Sequence, residues 1–401
     1  PTCAARPGPT TAAGRRSKPD DAVGPVRLML LALVLAPALS LAFQLGPLGP
    51  RLEARLTHET ESQLAQVAGR LGLLLKGRVH EEITQLALEC PVAPEQLADD
   101  TTCAQADQPF ASPFIIYGVR WNDLPPFLLA PGEGRCEAYG KACVNQTVRF
   151  STQPVCWYCL FSQAQKIAPS TRIVGCNRQP GELVGNVMTR SHFGDLQWLH
   201  AMASGEGVPA EVTRREIIDW MEFAWKVASR EIAGVRLLRD VPIATIQSRF
   251  GCTGWTVADL YIRGRQDAAS GLAPRLHDIA FGSVLHTVQD SFAAGHVQRE
   301  ERAPRPLCAD APYPMPPRVL EFHAYGGQDA ARHDDDDTRL ALLRGHPVEQ
   351  FPTAVLASRN LYQLYDARAS WSEVAPYARC LFETVDAGRL SSAGQAYGRR
   401  R

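Results

Sequence analysis

Apolar residues recur along most of this chain at three- and four-residue intervals, the spacing of one face of an amphipathic helix. In segment 210–234, Ile217, Trp220 and Met221 follow this spacing, and Gly234 is expected to end the helix. The pattern predicts a mainly α protein with bundle-like packing of its helices. The predicted helices are 52–75, the segment from about residue 79 onward, 210–234, 275–292 and 352–369, with 352–369 as the last strong helix.

Residues 100–180 depart from this pattern. They contain six cysteines, many prolines and glycines, and short β-prone pieces such as FIIYGV (114–119). We expect a loop-rich insertion tied by disulfides within the helical fold. The proline-rich connector 304–318 is not expected to be helical, and the Gly/Ser/Arg-rich tail, about 388–401, is expected to be loose.

An apolar run from Leu28 to Phe43 follows Arg27 near the start of the sequence. Its length and the small residues near its end are typical of a secretory signal peptide, because a membrane span needs about 20 apolar residues. We therefore assign 1–43 to a leader and signal peptide and 44–401 to a single domain that is secreted or periplasmic. The alternative is an uncleaved membrane anchor with the domain facing the exterior.

The cysteine content agrees with export. Beyond residue 43 there are ten cysteines, an even number that predicts up to five disulfides in an exported chain. The CWYC motif, Cys156 to Cys159, has redox-motif spacing, but no βαβ pattern surrounds it and we interpret both cysteines as structural. The alternative is a zinc site formed by Cys136, Cys143, Cys156 and Cys159.

The overall charge of the chain is balanced. With 42 basic and 42 acidic residues among 401, it has no basic surplus of the kind that favours nonspecific nucleic-acid binding. The ten histidines are not enriched, so their positions carry the information.

One short stretch, HTVQDSFAAGH (286–296), has the composition of a metal site. On a helix, His286 and Asp290 are neighbours on one face, because residues four apart lie one turn apart. The turn suggested by Ala294 and Gly295 would let His296 approach the same place from another direction. One metal ion could then take His286 and Asp290, and the second oxygen of Asp290 could reach another metal ion; the alternative is a helix with two unrelated polar residues.

Further residues of metal-binding type lie elsewhere in the chain. His80 begins the helix predicted from residue 79, Asp123 lies on a loop before two prolines, and His192 comes later. His333 and Asp337 repeat the His-x3-Asp spacing. Neutral imidazoles and carboxylates are the ligands that zinc takes at catalytic sites.

In their order, these motifs resemble those of the zinc-dependent phospholipase C and S1/P1 nuclease superfamily. The shared order is a helix-borne His, a loop Asp, a His, H-x3-D-x5-H and H-x3-carboxylate, and the likeness spans roughly Val79 to Asp337. The resemblance implies a secreted, all-α enzyme with the phospholipase C/P1 nuclease-like fold and a cluster of three zinc ions.

The resemblance also implies a set of zinc ligands. The implied ligands are Asp123, His192, His286 and Asp290 for one zinc, Asp290 and His80 for a second, and His296, His333 and Asp337 for a third. Asp123 would also be a candidate catalytic general base. The family's ligand from a processed N-terminal Trp has no counterpart near the predicted cleavage point, where His58 is the nearest substitute, so we expect two or three zinc ions.

Several polar residues leave alternatives open. His323 competes with His333 as a ligand, and Glu300 is a third candidate. We interpret His200 and His277 as ordinary packing residues.

These observations predict an exported, zinc-dependent phosphodiester hydrolase of the phospholipase C type. Its substrate would be a phospholipid or another phosphodiester, with a membrane surface as a further candidate partner and no protein partner. The first alternative is a single-strand-specific nuclease of the same fold, for which nucleic acid would be the substrate. The second is a non-catalytic exported protein that metal and disulfides stabilise.

Overall fold

The computed structural model describes residues 79–88, 111–129, 136–138, 141–142, 147–150, 153–301, 306–329, 332–333 and 353–399. They belong to one unit, Ala38–Arg401. The predictions that fall outside the described residues are the leader 1–43, the helix 52–75, His58, Cys143 and Asp337.

Helices dominate the described residues, so the mainly α class is confirmed. The α-helices are α1 (Val79–Ala87), α2 (Pro113–Trp121), α3 (Pro154–Ile167), α4 (Val187–Phe193), α5 (Ala210–Ala228), α6 (Ala244–Phe250), α7 (Val257–Ile262), α8 (Leu276–Asp290), α9 (Ala354–Asp366) and α10 (Trp371–Leu381). The strands are β1 (Glu137–Ala138), β2 (Lys141–Ala142), β3 (Ile173–Val174), β4 (Leu183–Val184), β5 (Val297–Arg299) and β6 (Val319–Phe322).

The strands form short pairs rather than one sheet. Strands β1 and β2 pair antiparallel, β3 and β4 pair parallel, and β5 and β6 pair antiparallel with an irregularity between Gln298 and Arg299. The last pair matches Val297 with Phe322, which brings the residues after α8 beside those before His323. A helical core with small strand pairs at its margin is the resulting architecture.

Helix α8 lies in the core between α2, α5 and α9. At the crossing with α2, a Cβ on Gly118 would overlap the carbonyl oxygen of Ile279, and a Cβ on Gly282 would overlap that of Ile115. The two helices can therefore approach closely only because glycine occupies both positions. This contact fixes the distance between the end of α2 and the inner face of α8.

The β-prone piece FIIYGV is helical, which corrects the sequence interpretation. It forms most of α2, where Ser112 accepts a hydrogen bond from the backbone N–H of Ile115 and Pro113 occupies the first turn. Both features favour a helix start. Most of this run is buried, and a continuous apolar run has no periodicity that separates a buried helix from a buried strand.

Two further expectations about the helices differ from the structure. Helix α5 ends at Ala228 rather than at Gly234, because Arg230 takes a left-handed conformation with φ of 66°. The helix over 352–369 is not the last, since α10 follows it with a capping box between Ser370 and Glu373. The proline-rich connector is irregular over 306–318, as predicted.

Three disulfides are present among the described residues: Cys136–Cys159, Cys176–Cys252 and Cys308–Cys380. Cys156 is disulfide-bonded as well. Cys159 of the CWYC motif thus pairs with Cys136 and not with Cys156, which confirms the structural interpretation and rules out the four-cysteine zinc site. Disulfides of this number are typical of proteins that fold in an oxidising, extracytoplasmic compartment.

The segment after Gly388 is not loose over its described part, 388–399. Leu390 bridges to Pro209, the backbone N–H of Ser391 donates to Val208, and Gly398 bridges to Gln328. These backbone hydrogen bonds hold the segment against α5 and the residues after β6. In the part of the chain that the structure describes, no helix is both long and apolar enough to cross a membrane.

Candidate metal centre

The centre is built on the C-terminal half of α8. His286 and Asp290 lie on one face of this helix, and Nε2 of His286 is 3.0 Å from Oδ2 of Asp290. Both side chains are fully buried. The one-turn spacing that the sequence predicts therefore places an imidazole and a carboxylate together in the core.

Helix α1 supplies a second imidazole. Nε2 of His80 lies 3.2 Å from Oδ1 of Asp290, and the His80 ring stacks on that of His286 with centroids 4.0 Å apart. The two oxygens of Asp290 thus face different histidines. A carboxylate in this arrangement can bridge two cations.

Asp123 follows α2 in a turn and is fully buried. Its Oδ1 lies 3.7 Å from Nε2 of His286, 3.8 Å from Nε2 of His192 and 3.5 Å from Nδ1 of His200. The loop position predicted for Asp123 is correct, and the structure brings this carboxylate to His286 of α8 and His192 of α4.

His200 is the one member of the cluster that the sequence interpretation set aside as a packing residue. It ends the 3-10 helix Gln197–His200, and its Nδ1 lies 2.9 Å from Oδ2 of Asp290 and 3.1 Å from Nε2 of His286. His277, interpreted in the same way, lies outside the cluster and faces Arg230. The two histidines therefore need different interpretations.

The histidines and carboxylates of the centre form three overlapping groups whose ligand atoms lie within 4.8 Å of one another. Five of the six residues were predicted from the sequence, and His200 is the addition. The groups are His80, Asp123 and His286; Asp123, His192 and His200; and His200, His286 and Asp290.

A pair of histidines extends the cluster on the side of β5. Nδ1 of His296 lies 3.8 Å from Oδ2 of Asp290, and Nε2 of His296 lies 3.1 Å from Nε2 of His333. His323 instead donates from Nδ1 to the carbonyl oxygen of Gly295 at 3.1 Å. The structure thus brings His333, rather than His323, against His296.

Two nearby carboxylates are engaged elsewhere. Glu300 forms an ion pair with Arg318, at 2.9 Å. Asp195, close to His192 in sequence, forms an ion pair with Arg190 at 2.7 Å. Each acidic residue neutralises a guanidinium and belongs to the scaffold.

Hydrogen bonds to carbonyl groups orient the imidazoles. Nδ1 of His286 lies 2.6 Å from the carbonyl oxygen of Val119, and Nδ1 of His296 lies 2.7 Å from that of His200. Nδ1 of His192 lies 2.9 Å from the carbonyl oxygen of Met188. A carbonyl oxygen only accepts, so Nδ1 carries the proton and Nε2 keeps its lone pair. This is the tautomer in which Nε2 can bind a metal ion.

The turn that carries Asp123 is tied to the elements that carry His200 and His286. Nδ2 of Asn122 donates to the carbonyl oxygen of Leu199 at 2.7 Å and to Oγ1 of Thr287 at 3.1 Å. Oγ1 of Thr287 in turn donates to the same carbonyl oxygen at 2.8 Å. The residue next to each of the three ligand candidates is therefore part of one hydrogen-bond network.

Burial shapes the electrostatics of the centre. It lowers the pKa of His192 to about 3 and those of His200 and His286 to about 4, so that these imidazoles are neutral near pH 7. Burial also opposes the charged form of His80, but the carboxylate of Asp290 outweighs it and raises the pKa of His80. For Asp290, burial alone would raise the pKa, yet the surrounding histidines, His286 first, hold it well below its usual range.

The donor set fits a divalent metal ion. Asp123 and Asp290 place two carboxylates in the core among largely neutral imidazoles, and buried charge is costly unless a counter-charge balances it. Among the described residues, Nε2 of His192 is buried without a hydrogen-bond partner. A cation would balance the carboxylates and use such lone pairs.

Comparison with known proteins adds no assignment. No protein-family description, no curated protein and no solved structure matches this chain.

Proposed function

We propose that this chain is an exported, zinc-dependent hydrolase of phosphodiesters, with phospholipase C-like activity. The observation that carries the proposal is the buried arrangement of Asp123 and Asp290 among His80, His192, His200 and His286. The order of these residues along the chain also resembles that of the zinc-dependent phospholipase C and S1/P1 nuclease superfamily. The disulfides and the predicted signal peptide support secretion or export to a periplasm.

Zinc suits the donor set better than calcium or magnesium. Imidazole nitrogens outnumber carboxylates here, whereas calcium and magnesium prefer oxygen ligands. The residues that would hold two ions are those of the three overlapping groups, and His296, His333 and Asp337 would hold a third. Bound zinc polarises a phosphoryl oxygen and lowers the pKa of water to about 7.

Asp290 and Asp123 have different roles in this proposal. Asp290 directs Oδ1 towards His80 and Oδ2 towards His200, so its two oxygens serve neighbouring ligand sets. Asp123 lies within 3.8 Å of three imidazole nitrogens and is the candidate general base that would accept a proton from the attacking water. The reaction is an in-line attack on phosphorus without a covalent intermediate.

Phospholipid is the favoured substrate because the chain has no basic surplus. A nuclease of single strands gains affinity from a positively charged groove and stacking aromatics, whereas basic and acidic residues are equal in number here. A phosphodiester at a lipid surface needs no such groove. The proposal therefore names a lipid headgroup linkage as the bond that is cleaved.

The test compares phosphocholine release from phosphatidylcholine vesicles with cleavage of single-stranded DNA, using purified protein with measured zinc content. We expect two or three zinc ions per chain and release from the vesicles that Asp123→Asn reduces by at least about 100-fold. Cleavage of DNA alone would assign the chain to the nuclease alternative. One firmly held zinc without hydrolysis would favour a purely structural metal.

A further inference from the structure

His80 differs from the other oriented histidines of the centre in what accepts its Nδ1 proton. His192, His286 and His296 use backbone carbonyl oxygens. Nδ1 of His80 lies 2.7 Å from Oε1 of the Gln289 side chain, and both residues are fully buried. An amide, unlike a carbonyl, has a donor end and an acceptor end, so the tautomer of His80 depends on how Gln289 is turned.

Neighbouring hydroxyl groups decide the orientation of the Gln289 amide. Its Nε2 donates to Oγ1 of Thr84 at 2.9 Å and to Oγ of Ser358 at 3.3 Å. Oγ1 of Thr84 donates its own proton to the carbonyl oxygen of His80 at 2.8 Å, so it can only accept from Gln289. A flipped amide would place Oε1 against Thr84, whose proton is already used.

The orientation has a direct consequence at the centre. With Oε1 towards His80, Nδ1 of the neutral ring carries the proton and Nε2 keeps its lone pair, 3.2 Å from Oδ1 of Asp290. With the amide reversed, the proton would move to Nε2 and donate to Asp290. Such a hydrogen bond would occupy both atoms that a cation shared by these two residues would use.

We infer that Gln289 is a positioning residue that holds His80 in its metal-binding tautomer, through a relay from Ser358 of α9 and Thr84 of α1. The inference rests on the proposed metal function of the centre for its consequence, but the tautomer of His80 is a property of the protein alone. Gln289 is adjacent to Asp290 on α8, so a single turn of this helix carries a ligand candidate and the group that orients another.

The first test reads the tautomer directly in the full-length, wild-type protein. Long-range nitrogen–proton NMR of ¹⁵N-histidine-labelled, metal-free protein, assigned with His80→Gln, distinguishes the two neutral tautomers. The pH is raised until the His80 signals stop moving, so that its ring is neutral. We expect the proton on Nδ1, and a proton on Nε2 overturns the inference whether or not the protein binds zinc.

The second test measures zinc affinity by competition with a chelator. Gln289→Met removes both hydrogen-bonding ends at similar volume and should weaken the zinc position that includes His80 by about 10- to 100-fold, the usual effect of losing an outer-shell partner. Gln289→Glu keeps an acceptor for the Nδ1 proton, but its second oxygen meets the Thr84 hydroxyl, whose proton is already used, so it should weaken zinc binding less than Gln289→Met does. Equal losses in both variants overturn the inference.

A matched control separates positioning from simple loss of a buried amide. Asn360 lies on α9 and donates from Nδ2 to the hydroxyl of Tyr377 at 3.0 Å, outside the metal centre. Asn360→Leu should reduce thermal stability and leave zinc affinity unchanged. If Gln289→Met fails to fold, the wild-type NMR result decides the question. If wild type binds no zinc, the proposed function fails and the NMR result alone decides the inference.

Discussion

Nδ1 of His200 lies 2.9 Å from Oδ2 of Asp290, although the two residues are separated by 90 positions in the chain. This contact joins a 3-10 helix to the end of α8 in the interior of the protein. Because Asp290 also faces His80 and His286, its carboxylate is where three separate parts of the chain meet. The contact therefore makes His200 a ligand candidate, which its position in the sequence did not indicate.

His200→Ala should lower both the zinc content and the hydrolytic activity. The substitution removes an imidazole that belongs to two of the three ligand groups, and we expect activity to fall at least about 100-fold, as for loss of a group on which a metal site depends. His277→Ala is the matched control, since His277 faces Arg230 outside the cluster. Elemental analysis and the vesicle assay on both variants check the prediction, and equal behaviour of the two would contradict it.

Asp290→Asn should abolish hydrolysis while leaving secretion intact. The amide keeps the size of the side chain but removes the negative charge and one acceptor from the middle of the centre, so a cation loses the ligand that both oxygens provide. We expect at least about a 1,000-fold loss of phosphocholine release. Zinc content measured on the secreted protein should fall in parallel.

Asp278→Asn serves as the control for that variant. Asp278 lies at the start of the same helix and accepts hydrogen bonds from the hydroxyl groups of Tyr365 and Ser112, at 2.8 and 3.4 Å. Its substitution should alter stability but not zinc content. Full activity in Asp290→Asn would show that the centre is not the site of hydrolysis.

The metal-free protein should lose stability as the pH falls from about 6.5 to about 4. An unfolded histidine titrates near 6.5, whereas the pKa values of His192, His200 and His286 in the folded protein are about 3 to 4. In this window the unfolded chain binds more protons, so the free energy of unfolding rises with pH and decreases on acidification. Urea unfolding of chelator-treated protein at pH 7.5, 6 and 5 measures the change.

His80 and Asp290 limit the pH prediction to that window. The pKa of His80 is raised, so its contribution is complete below 6.5 and is lost as the pH rises through its folded value. The pKa of Asp290 is lowered, and its contribution is lost only as the pH falls through that lower value. A free energy of unfolding that stays constant from pH 7 to 4.5 would show that the three histidines are not held neutral by the fold.

The sequence predicted the His286–Asp290 pair because its spacing is local: the two residues are one turn apart on a strongly predicted helix. His80, Asp123 and His192 were expected from the resemblance in motif order, not from local spacing. His200 could not be separated from His277 in this way. Its placement depends on the 3-10 helix Gln197–His200 and on the packing of that segment against α8, which no single spacing specifies.

The prediction of the helices succeeded where the apolar periodicity is long. It failed where tertiary packing decides whether a segment is helical and where a helix ends. The apolar run in α2 is mostly buried and therefore has no helical stripe. Helix α10 contains Pro376, which argues against a helix in sequence but is accommodated here. The end of α5 depends on the left-handed conformation of Arg230. Arginine in a sequence, unlike glycine, does not indicate a left-handed residue.

Gly282→Ala should destabilise the protein and weaken zinc binding together. The new Cβ would overlap the carbonyl oxygen of Ile115 and push α2 away from α8, at a cost of about 1 to 3 kcal/mol in the free energy of unfolding. Helix α2 carries the carbonyl of Val119, which accepts the Nδ1 proton of His286, and leads directly to Asp123. A shift of this helix therefore disturbs an imidazole and a carboxylate at once.

Gly205→Ala is the control for the glycine contact, because a Cβ at that position has no heavy atom within 4 Å. Gly205→Ala should change neither the free energy of unfolding nor the zinc affinity. Urea unfolding and chelator competition on both variants check the prediction. If Gly282→Ala lost stability while keeping wild-type zinc affinity, the α2–α8 contact would support the core without setting the geometry of the metal centre.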